Sequence, residues 1–346
     1  MKRVLVLLLS VLAAAPIQAE IDRTVLFGMS QSVLKIEVLR DQGGFSLGSG
    51  VVIAPERVVT NCHVTRDAVR INVLRGGIRR LVVSQLSDVE HDLCLLNVPG
   101  LVAKVLAPAR TDHLWPGQAV TALGYTGGLA LQHSPGEVLA LHRLDGGRVI
   151  QSSNFFNSGA SGGGLFDDDH NLVGILTFRL RGGEAHYFAA PAEWLSALLE
   201  ATDPGFREIA PERSGRLSYW QRPVVDQPRF LKAALLQRDD RWPELEALAA
   251  DWVRGDAGDA EPWFLMGVAL EQMNRLPQAQ RALECALEIE PASTAVSARL
   301  APVYDRQGLT ELAARVRSRQ RRGRAASSLP PDPSTTSNCN ADASRQ

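Results

Sequence analysis

The hydrophobic pattern divides the chain into a strand-rich part followed by a helix-rich part. From residue 33 to residue 188, short β-branched runs are separated by Gly, Pro, Asn or Asp, and this spacing is typical of a barrel or sandwich. The runs cover residues 33–39, 51–54, 69–74, 81–84, 93–98, 119–123, 138–141 and 172–178. A helix over residues 191–200 is predicted to close this all-β domain, which spans residues 20–201.

Beyond residue 227 the apolar residues recur at helical spacing, and their pattern resembles the tetratricopeptide repeat (TPR). One unit matches at seven positions, which are Trp263, Gly267, Leu270, Ala279, Leu283, Ala286 and Pro291. Degenerate matches lie one repeat length before and after it. Because a single helix pair cannot bury its own apolar face, the pattern predicts stacked TPR-like repeats over residues 228–318. An ordinary helical hairpin is the alternative. The resemblance implies a concave face that binds a protein partner.

Three other segments lie outside these two parts. Residues 1–19 have a basic start, a short apolar run and small residues up to Ala19, which predicts a secretory signal peptide cut after Ala19. The run is too short for a lasting anchor, so we expect a periplasmic or secreted protein without a membrane span. Residues 202–227 are rich in Pro and Arg and predict a linker with little structure of its own. Residues 319–346 predict a disordered tail.

The overall charge argues against nucleic acid or an anionic membrane surface as a partner. The formal net charge is −1 at pH 7, so the chain has no global field that would attract nucleic acid or an anionic membrane surface. We therefore expect no nucleic-acid partner. Four cysteines in an exported chain of 346 residues do not make a disulfide framework.

The candidate chemistry begins at residues 154–166, where Ser161 lies among glycines and directly before an apolar strand. A serine hydroxyl is a weak nucleophile that needs an imidazole to take its proton and a third group to hold that imidazole. Two other places supply these groups: His63 follows a β-branched run, and Asp92 opens an apolar one. Taken alone, the Gly/Ser cluster is also the pattern of a flexible turn. The order His63, Asp92, Ser161 favours nucleophilic catalysis.

These blocks, including the sequences GSGVVIAPERVVTNCHV and DLCLL, resemble the chymotrypsin-fold serine proteases, and most closely their HtrA-type branch. The resemblance covers about residues 20–200 and implies an all-β double six-stranded barrel with the site in the cleft between the barrels. It implies His63 as general base and acid, Asp92 as the residue that orients it, and Ser161 as nucleophile. The amides of Gly159 and Ser161 would form the oxyanion hole. No cofactor is implied.

The same resemblance implies a substrate pocket formed by Phe155, Thr177, Phe178 and Arg179. Phe155 lies where the family lines the base of the specificity pocket. An apolar residue there indicates cleavage after an apolar side chain rather than after Arg or Lys. Arg179, just past the last strand run, would narrow this pocket.

Competing residues fit the pattern less well. The other histidines, at positions 91, 113, 133, 142, 170 and 186, lack the Thr-Asn-Cys sequence and show no HExxH spacing, so structural or surface roles are favoured and no metal site is predicted. Asp88 precedes the apolar strand by several residues, whereas Asp92 adjoins it. Residues 167–171 predict a hairpin turn, with metal binding as the alternative.

The cysteines divide into two groups. Cys62 precedes His63 and Cys94 follows Asp92 by two residues, so both come close together if the triad forms. In an oxidising compartment this predicts a Cys62–Cys94 disulfide, with two buried thiols as the alternative. Cys285 and Cys339 are expected to be free.

Two positions depart from the family pattern. Ala160 stands where activated digestive proteases have an aspartate that pairs with a newly cut N-terminus, so that zymogen switch cannot operate. Gly164 replaces the usual proline, and its backbone freedom predicts an oxyanion loop that is loosely formed until something binds. The main prediction is an exported serine endopeptidase acting on polypeptide substrates. The departures keep an alternative open, a weak or inactive protease-like scaffold that acts through its TPR-like repeats.

Overall fold

The computed structural model describes residues 23–128, 130–180, 187–200, 205–323 and 339. The expected signal peptide and nearly all of the expected tail lie outside these residues. In the part of the chain that is described, no helix combines the length and apolar composition needed to cross a membrane.

The first β-sheet follows a short helix, α1 (Arg23–Ser30), and is antiparallel throughout. Its eight strands are β1 (Val33–Arg40), β2 (Phe45–Ala54), β3 (Arg57–Thr60), β4 (Ala68–Arg75), β5 (Ile78–Leu81), β6 (Ser84–Asp88), β7 (Leu93–Asn97) and β14 (Arg207–Glu208). They are ordered β14-β6-β7-β3-β2-β1-β4-β5. A one-turn helix, α2 (Cys62–Thr65), follows β3. Buried and less buried positions alternate along much of β1, as expected for a strand with one face on the core.

This sheet is not the closed six-stranded barrel that the sequence predicted. The free edges of β4 and β6 are occupied by β5 and by the two residues of β14, so β4 and β6 do not pair with each other. The two residues between β5 and β6 still connect β4 with β7. There the Val82 amide donates to Ile71 O and the Val83 amide to Asn97 O, both at 3.0 Å.

The second sheet is a closed six-stranded barrel, which confirms the prediction for this half of the fold. Its strands are β8 (Ala119–Gly124), β9 (Gln132–Leu144), β10 (Gly147–Ser152), β11 (Gly164–Phe166), β12 (Leu172–Arg179) and β13 (Tyr187–Pro191). The first seven residues of β12 are buried, which explains its uninterrupted apolar sequence. The predicted runs omitted β10 and β13. Helix α3 (Glu193–Glu200) closes this domain.

The C-terminal part is helical, as predicted. Six helices follow one another: α4 (Arg229–Arg238), α5 (Trp242–Gly255), α6 (Ala260–Gln272), α7 (Leu276–Ile289), α8 (Thr294–Arg306) and α9 (Thr310–Gly323). Asp259 caps α6 by accepting a hydrogen bond from the Glu261 amide at 3.1 Å. A Cβ at Gly267 would lie 2.6 Å from the Leu283 side chain, so glycine is what lets α6 approach α7 closely. Helix α9 ends at Gly323, four residues past the expected start of the tail.

The connecting segment, residues 205–227, contains few regular elements but is fixed by specific contacts. The Glu212 amide donates to Arg66 O at 2.7 Å, and the Tyr219 amide donates to Glu90 O at 3.1 Å. Tyr219 belongs to one continuous buried cluster that also includes Phe188 of the closed barrel and Phe230 of α4. The expected linker is therefore part of the packing between the first sheet, the closed barrel and the helices.

Two disulfides are present. Cys62 and Cys94 are joined, with their Cα atoms 5.0 Å apart, which is the pair that the sequence suggested. Cys285 of α7 is joined to Cys339, so the expectation that these two are free was wrong. The two residues are 54 positions apart, and no motif near either one indicates the pairing.

Candidate active site

His63 and Asp92 form a hydrogen-bonded pair between α2 and the start of β7. His63 Nδ1 lies 2.6 Å from Asp92 Oδ2, and the His63 backbone amide donates to Asp92 Oδ1 at 2.8 Å. Asp92 is 1% exposed, whereas the His63 side chain is 23% exposed. The buried carboxylate thus fixes both the ring and the backbone of a histidine that can still be reached from solvent.

The local backbone explains how these two residues meet. Thr60 of β3 pairs with Cys94 of β7, so the chain leaving β3 runs beside the chain entering β7. The Cys62 amide donates to Asp92 O at 3.2 Å, and Asn61 Nδ2 donates to the same oxygen at 3.0 Å. Asp92 has a positive φ of 59°, a conformation that Asp adopts more readily than most residues. The Cys62–Cys94 disulfide holds the same junction covalently.

Asp92 has a further partner that the sequence gave no reason to expect. The indole Nε1 of Trp220, in the connecting segment, donates to Asp92 Oδ2 at 3.1 Å. The Trp220 ring also meets the His63 ring edge-on, with centroids 5.6 Å apart. Burial, reinforced by the charge of Asp92, raises the pKa of the neighbouring Tyr219 well above its usual value, so this phenol stays neutral.

Ser161 lies between β10 and β11, in the turn that leads into β11. Its Oγ donates to Thr177 O of β12 at 3.3 Å. Among the hydrogen bonds of the described residues, none joins Ser161 Oγ to His63. The hydroxyl therefore occupies a rotamer in which it is hydrogen-bonded to the barrel.

Two backbone amides beside Ser161 are free to bind an anion. The Ser158 carbonyl accepts a hydrogen bond from the Gly127 amide at 2.7 Å, and because C=O and N–H point in opposite directions across a trans peptide, the Gly159 amide is turned to the other side. Neither the Gly159 nor the Ser161 amide donates to any other described residue. Gly159 has a φ of +97°, and a Cβ there would lie 2.4 Å from Tyr125 O, so this turn requires glycine.

Ser49 of β2 holds this turn from the first sheet, and sequence reasoning missed it. Its Oγ donates to Gly159 O at 2.8 Å and accepts from the Tyr125 amide at 2.8 Å. Its amide donates to Ser161 O at 2.8 Å. One fully buried serine thus fixes the carbonyls on both sides of Ala160. Its place within the sequence Gly48-Ser49-Gly50 was the only available signal.

The two departures from the family pattern have local structural explanations. Ala160 is buried and packs closely against Gly124, and the Ser49 hydrogen bonds hold the turn without an ion pair. Gly164 lies in β11, where it pairs with both Leu123 and Ile175. A Cβ on Gly164 would meet the Phe166 ring at 2.6 Å. Close packing therefore accounts for this glycine.

The four residues expected to form the substrate pocket differ in their exposure and partners. Phe155 is 58% exposed and meets Tyr187 edge-on. Thr177 is buried, and its hydroxyl donates to Ile175 O at 2.8 Å. Phe178 is stacked between Phe188 and Trp220, with both centroid distances 4.7 Å. Arg179 is exposed at the end of β12. A cavity of about 140 Å³ lies beside Phe155, with Phe156, Ala160 and Leu176 among its lining residues.

The competing residues take structural positions. Asp88 bonds to His91 Nδ1 at 2.6 Å, and Asp145 bonds to its Nε2 at 3.3 Å. Burial opposes protonation of His91, but the hydrogen bonds and charges of these two carboxylates outweigh it and raise the pKa of His91. Asp167 accepts from the Asn171 amide at 2.8 Å in the turn between β11 and β12. No cluster of potential metal ligands occurs among the described residues.

Part of the chain is similar to known proteins. Residues 48–175 match the model of the trypsin-like peptidase domain. Serine protease HTRA4 of Mus musculus is 32% identical over 170 residues, which cover 45% of this chain and 34% of that protein. The periplasmic pH-dependent serine endoprotease DegQ of Escherichia coli (strain K12) is 32% identical over 167 residues, covering 44% of this chain and 36% of that protein.

One relative also has a solved structure. Serine protease Rv3671c of Mycobacterium tuberculosis is 30% identical over 181 residues, which cover 47% of this chain and 44% of that protein. The crystal structure of its active form matches with a TM-score of 0.50 and 26% identity, covering 55% of this chain and 89% of that structure. The chain thus spans less than half the length of each of these curated relatives. Residues 48–175 are thus similar to a trypsin-like peptidase domain, the fold is a chymotrypsin-like β-barrel fold, and HtrA-type serine proteases are among the relatives.

Proposed function

We propose that this protein is an exported serine endopeptidase that cleaves polypeptides through Ser161, His63 and Asp92. One observation carries the proposal. A buried carboxylate holds a solvent-accessible histidine, and in the same two-sheet domain the amides of Gly159 and Ser161 donate to no other described residue. Such an arrangement combines a base, its orienting group and an anion site, which are the requirements of acyl transfer.

The proposed reaction begins when Ser161 Oγ leaves Thr177 O and turns toward the substrate carbonyl. His63 Nε2 takes the hydroxyl proton as Oγ attacks, and the oxyanion that forms accepts hydrogen bonds from the Gly159 and Ser161 amides. His63 then gives its proton to the leaving amine, and the C–N bond breaks to leave an acyl-enzyme. Water, deprotonated by His63, hydrolyses this ester and restores the serine. Asp92 holds the imidazole in position throughout.

The apolar character of Phe155 and the cavity beside it support a substrate with an apolar side chain before the cleaved bond. Phe155 is exposed on this face of the second barrel, where it can contact a bound chain. In this proposal, Arg179 belongs to the surface that a substrate meets at the end of β12, while the buried Thr177 and Phe178 support that strand from within. Phe178 contributes indirectly, since Trp220 covers its outer face.

We further propose that α4–α9 form TPR-like repeats that recruit a protein partner or substrate. The close α6–α7 approach at Gly267 and the regular succession of helix pairs support this assignment. The corresponding domains are a signal peptide over residues 1–19, a protease domain over 20–201, a linker over 202–227, repeats over 228–318 and a tail over 319–346. Export to the periplasm is supported by the signal-like sequence and by the periplasmic relative DegQ.

One observation favours the alternative, a protease-like scaffold. The Ser161 hydroxyl bonds to Thr177 O and not to His63, which is the state expected if the serine no longer serves as nucleophile. Hydrolysis of a fluorescein-labelled casein by the mature protein separates the two functions. The endopeptidase proposal predicts peptide release that Ser161→Ala and His63→Ala each reduce by about 10⁴-fold or more. Equal release by wild type and Ser161→Ala, or none by folded wild type, would favour the scaffold.

A further inference from the structure

The Trp220 indole lies where the connecting segment crosses the His63–Asp92 pair. Oδ2 of Asp92 accepts from both His63 Nδ1 and Trp220 Nε1, while Oδ1 accepts from the His63 amide. Among the described residues, Trp220 is the only one other than His63 that donates to this carboxylate. Since the carboxylate is almost fully buried, each of its donors limits how the carboxylate can rotate.

We propose that Trp220 is a positioning residue that fixes Asp92, and through it His63, for the reaction of Ser161. This inference rests on the proposed function and adds to it a residue outside the matched peptidase region. An indole N–H can only donate, and a hydrogen bond to a charged acceptor is stronger than one to a neutral group. Trp220 therefore holds the Asp92 carboxylate in one orientation. A water molecule in the same place would be more mobile and would orient the carboxylate less strictly.

The Trp220 ring is itself held rigidly. One face stacks on Phe178, with the ring planes 6° apart, and its edge-on contact with His63 restricts the imidazole from the other side. Stacked aromatic rings lose little conformational freedom, because they rotate about only two side-chain bonds. A rigid donor is what a positioning role requires.

The backbone around Trp220 is anchored to the protease domain and by a contact within the connecting segment. Gln227 Nε2 donates to Trp220 O at 3.0 Å and to Arg222 O at 2.8 Å. Arg66, which directly follows α2, donates to Gln221 Oε1 at 2.6 Å, and Arg222 forms an ion pair with Glu90. The segment thus joins the protease domain to the start of the helical region at the catalytic pair.

The first test replaces the donor and keeps the ring. In Trp220→Phe the stacking on Phe178 can remain, but the N–H is lost. We expect the maximal rate of covalent modification by a fluorophosphonate probe to fall by about tenfold to hundredfold, with the concentration of probe giving half-maximal rate changed by less than about twofold. Trp263→Phe is the matched control, because the Trp263 indole donates to Ala257 O at 3.1 Å in the helical region. Its modification rate should equal that of wild type.

A second measurement does not depend on turnover. The proton between His63 Nδ1 and Asp92 Oδ2 should give a far-downfield ¹H NMR resonance, recorded in Ser161→Ala protein. Trp220→Phe should shift or broaden this resonance, and Trp263→Phe should leave it unchanged. If wild type shows no modification of Ser161, the proposed function fails and the resonance alone tests Trp220.

The proposal is overturned if folded Trp220→Phe reacts at the wild-type rate with an unchanged resonance. Should Trp220→Phe fail to fold, Gln227→Ala replaces it, since this change releases the Trp220 carbonyl without touching the ring. A fall of about threefold to tenfold in the maximal rate, at unchanged half-maximal concentration, then supports the proposal. An unchanged rate contradicts it.

Discussion

The amide of Ser49 donates to the carbonyl of Ser161 at 2.8 Å, and the Ser49 hydroxyl donates to the carbonyl of Gly159 at the same distance. A single residue of the first sheet therefore fixes the turn that carries the proposed nucleophile in the second. Because Ala160 has no charge to anchor this turn, the Ser49 contacts are its main link to the first sheet.

Ser49→Ala should slow fluorophosphonate modification of Ser161 by about tenfold. The variant loses the hydroxyl bonds to Gly159 O and from the Tyr125 amide but keeps the backbone bond to Ser161, so the turn loosens without unfolding. Ser84→Ala is the control, because Ser84 Oγ accepts from Asn97 Nδ2 in the same sheet, away from the site. Equal modification rates for Ser49→Ala and Ser84→Ala would show that the reactivity of Ser161 does not depend on the Ser49 hydroxyl.

Gly159→Ala should abolish most of the reactivity of Ser161. The added Cβ would overlap the Tyr125 carbonyl oxygen, and relief of this overlap turns the Gly159 amide away from the oxyanion. Loss of one such donor reduces the rate by about 10²–10³-fold. The rate of probe modification and the melting temperature are measured together.

Gly146→Ala is the matched control for backbone strain. Gly146 also has a positive φ, of 74°, but no atom lies within 4 Å of a Cβ built there. Its substitution should cost about 1–2 kcal/mol of stability and leave the modification rate unchanged. If Gly159→Ala behaves like Gly146→Ala, the Gly159 amide does not bind the oxyanion.

Asp259 makes stability depend on pH at the start of α6. Burial, partly offset by the Glu261 amide and aided by the Glu261 charge, raises the pKa of Asp259 from 3.8 to about 6. The folded protein therefore binds a proton more tightly than the unfolded chain. The stabilisation that comes from this proton is complete below pH 3.8, the pKa of Asp259 in the unfolded chain. It is lost as the pH rises through about 6, because ionised Asp259 destabilises the fold.

Asp259→Asn should keep the helix cap and remove this ionisation. We expect the melting temperature of the variant to exceed that of wild type by about 2 °C or more at pH 8, with a smaller difference at pH 5. Asp168→Asn, an exposed change in the closed barrel, should alter the melting temperature equally at both pH values. An equal effect of Asp259→Asn at pH 5 and pH 8 would contradict the assignment.

The sequence predicted those features that depend on local residue order. His63, Asp92 and Ser161 each stand in a short motif, the strand-rich and helical regions follow from periodicity, and the barrel fold was implied by the family resemblance. The contacts between these motifs could not be predicted in the same way. The Ser49 Oγ bond to Gly159 spans 110 residues and the Trp220 bond to Asp92 spans 128, and no local pattern encodes such pairings.

The errors have the same origin. The first sheet ends in the two-residue strand β14, which pairs with β6, and a strand that short leaves no periodicity to detect. The composition of residues 202–227 predicted an unstructured linker, but Tyr219 and Trp220 have partners that are distant in sequence. The sequence predicted that Phe178 lines the substrate pocket. The Trp220 ring that covers Phe178 comes from the connecting segment, and its position could not be predicted.

Mass spectrometry of mature protein treated with a fluorophosphonate probe tests the central claim most directly. Wild type should carry one adduct, on the peptide containing Ser161, and the rate should fall by about 10⁴-fold in His63→Ala. Ser161→Ala should carry none. Folded wild type without an adduct, or an adduct on another serine at a rate that His63→Ala does not change, would contradict the account of a Ser161–His63–Asp92 endopeptidase.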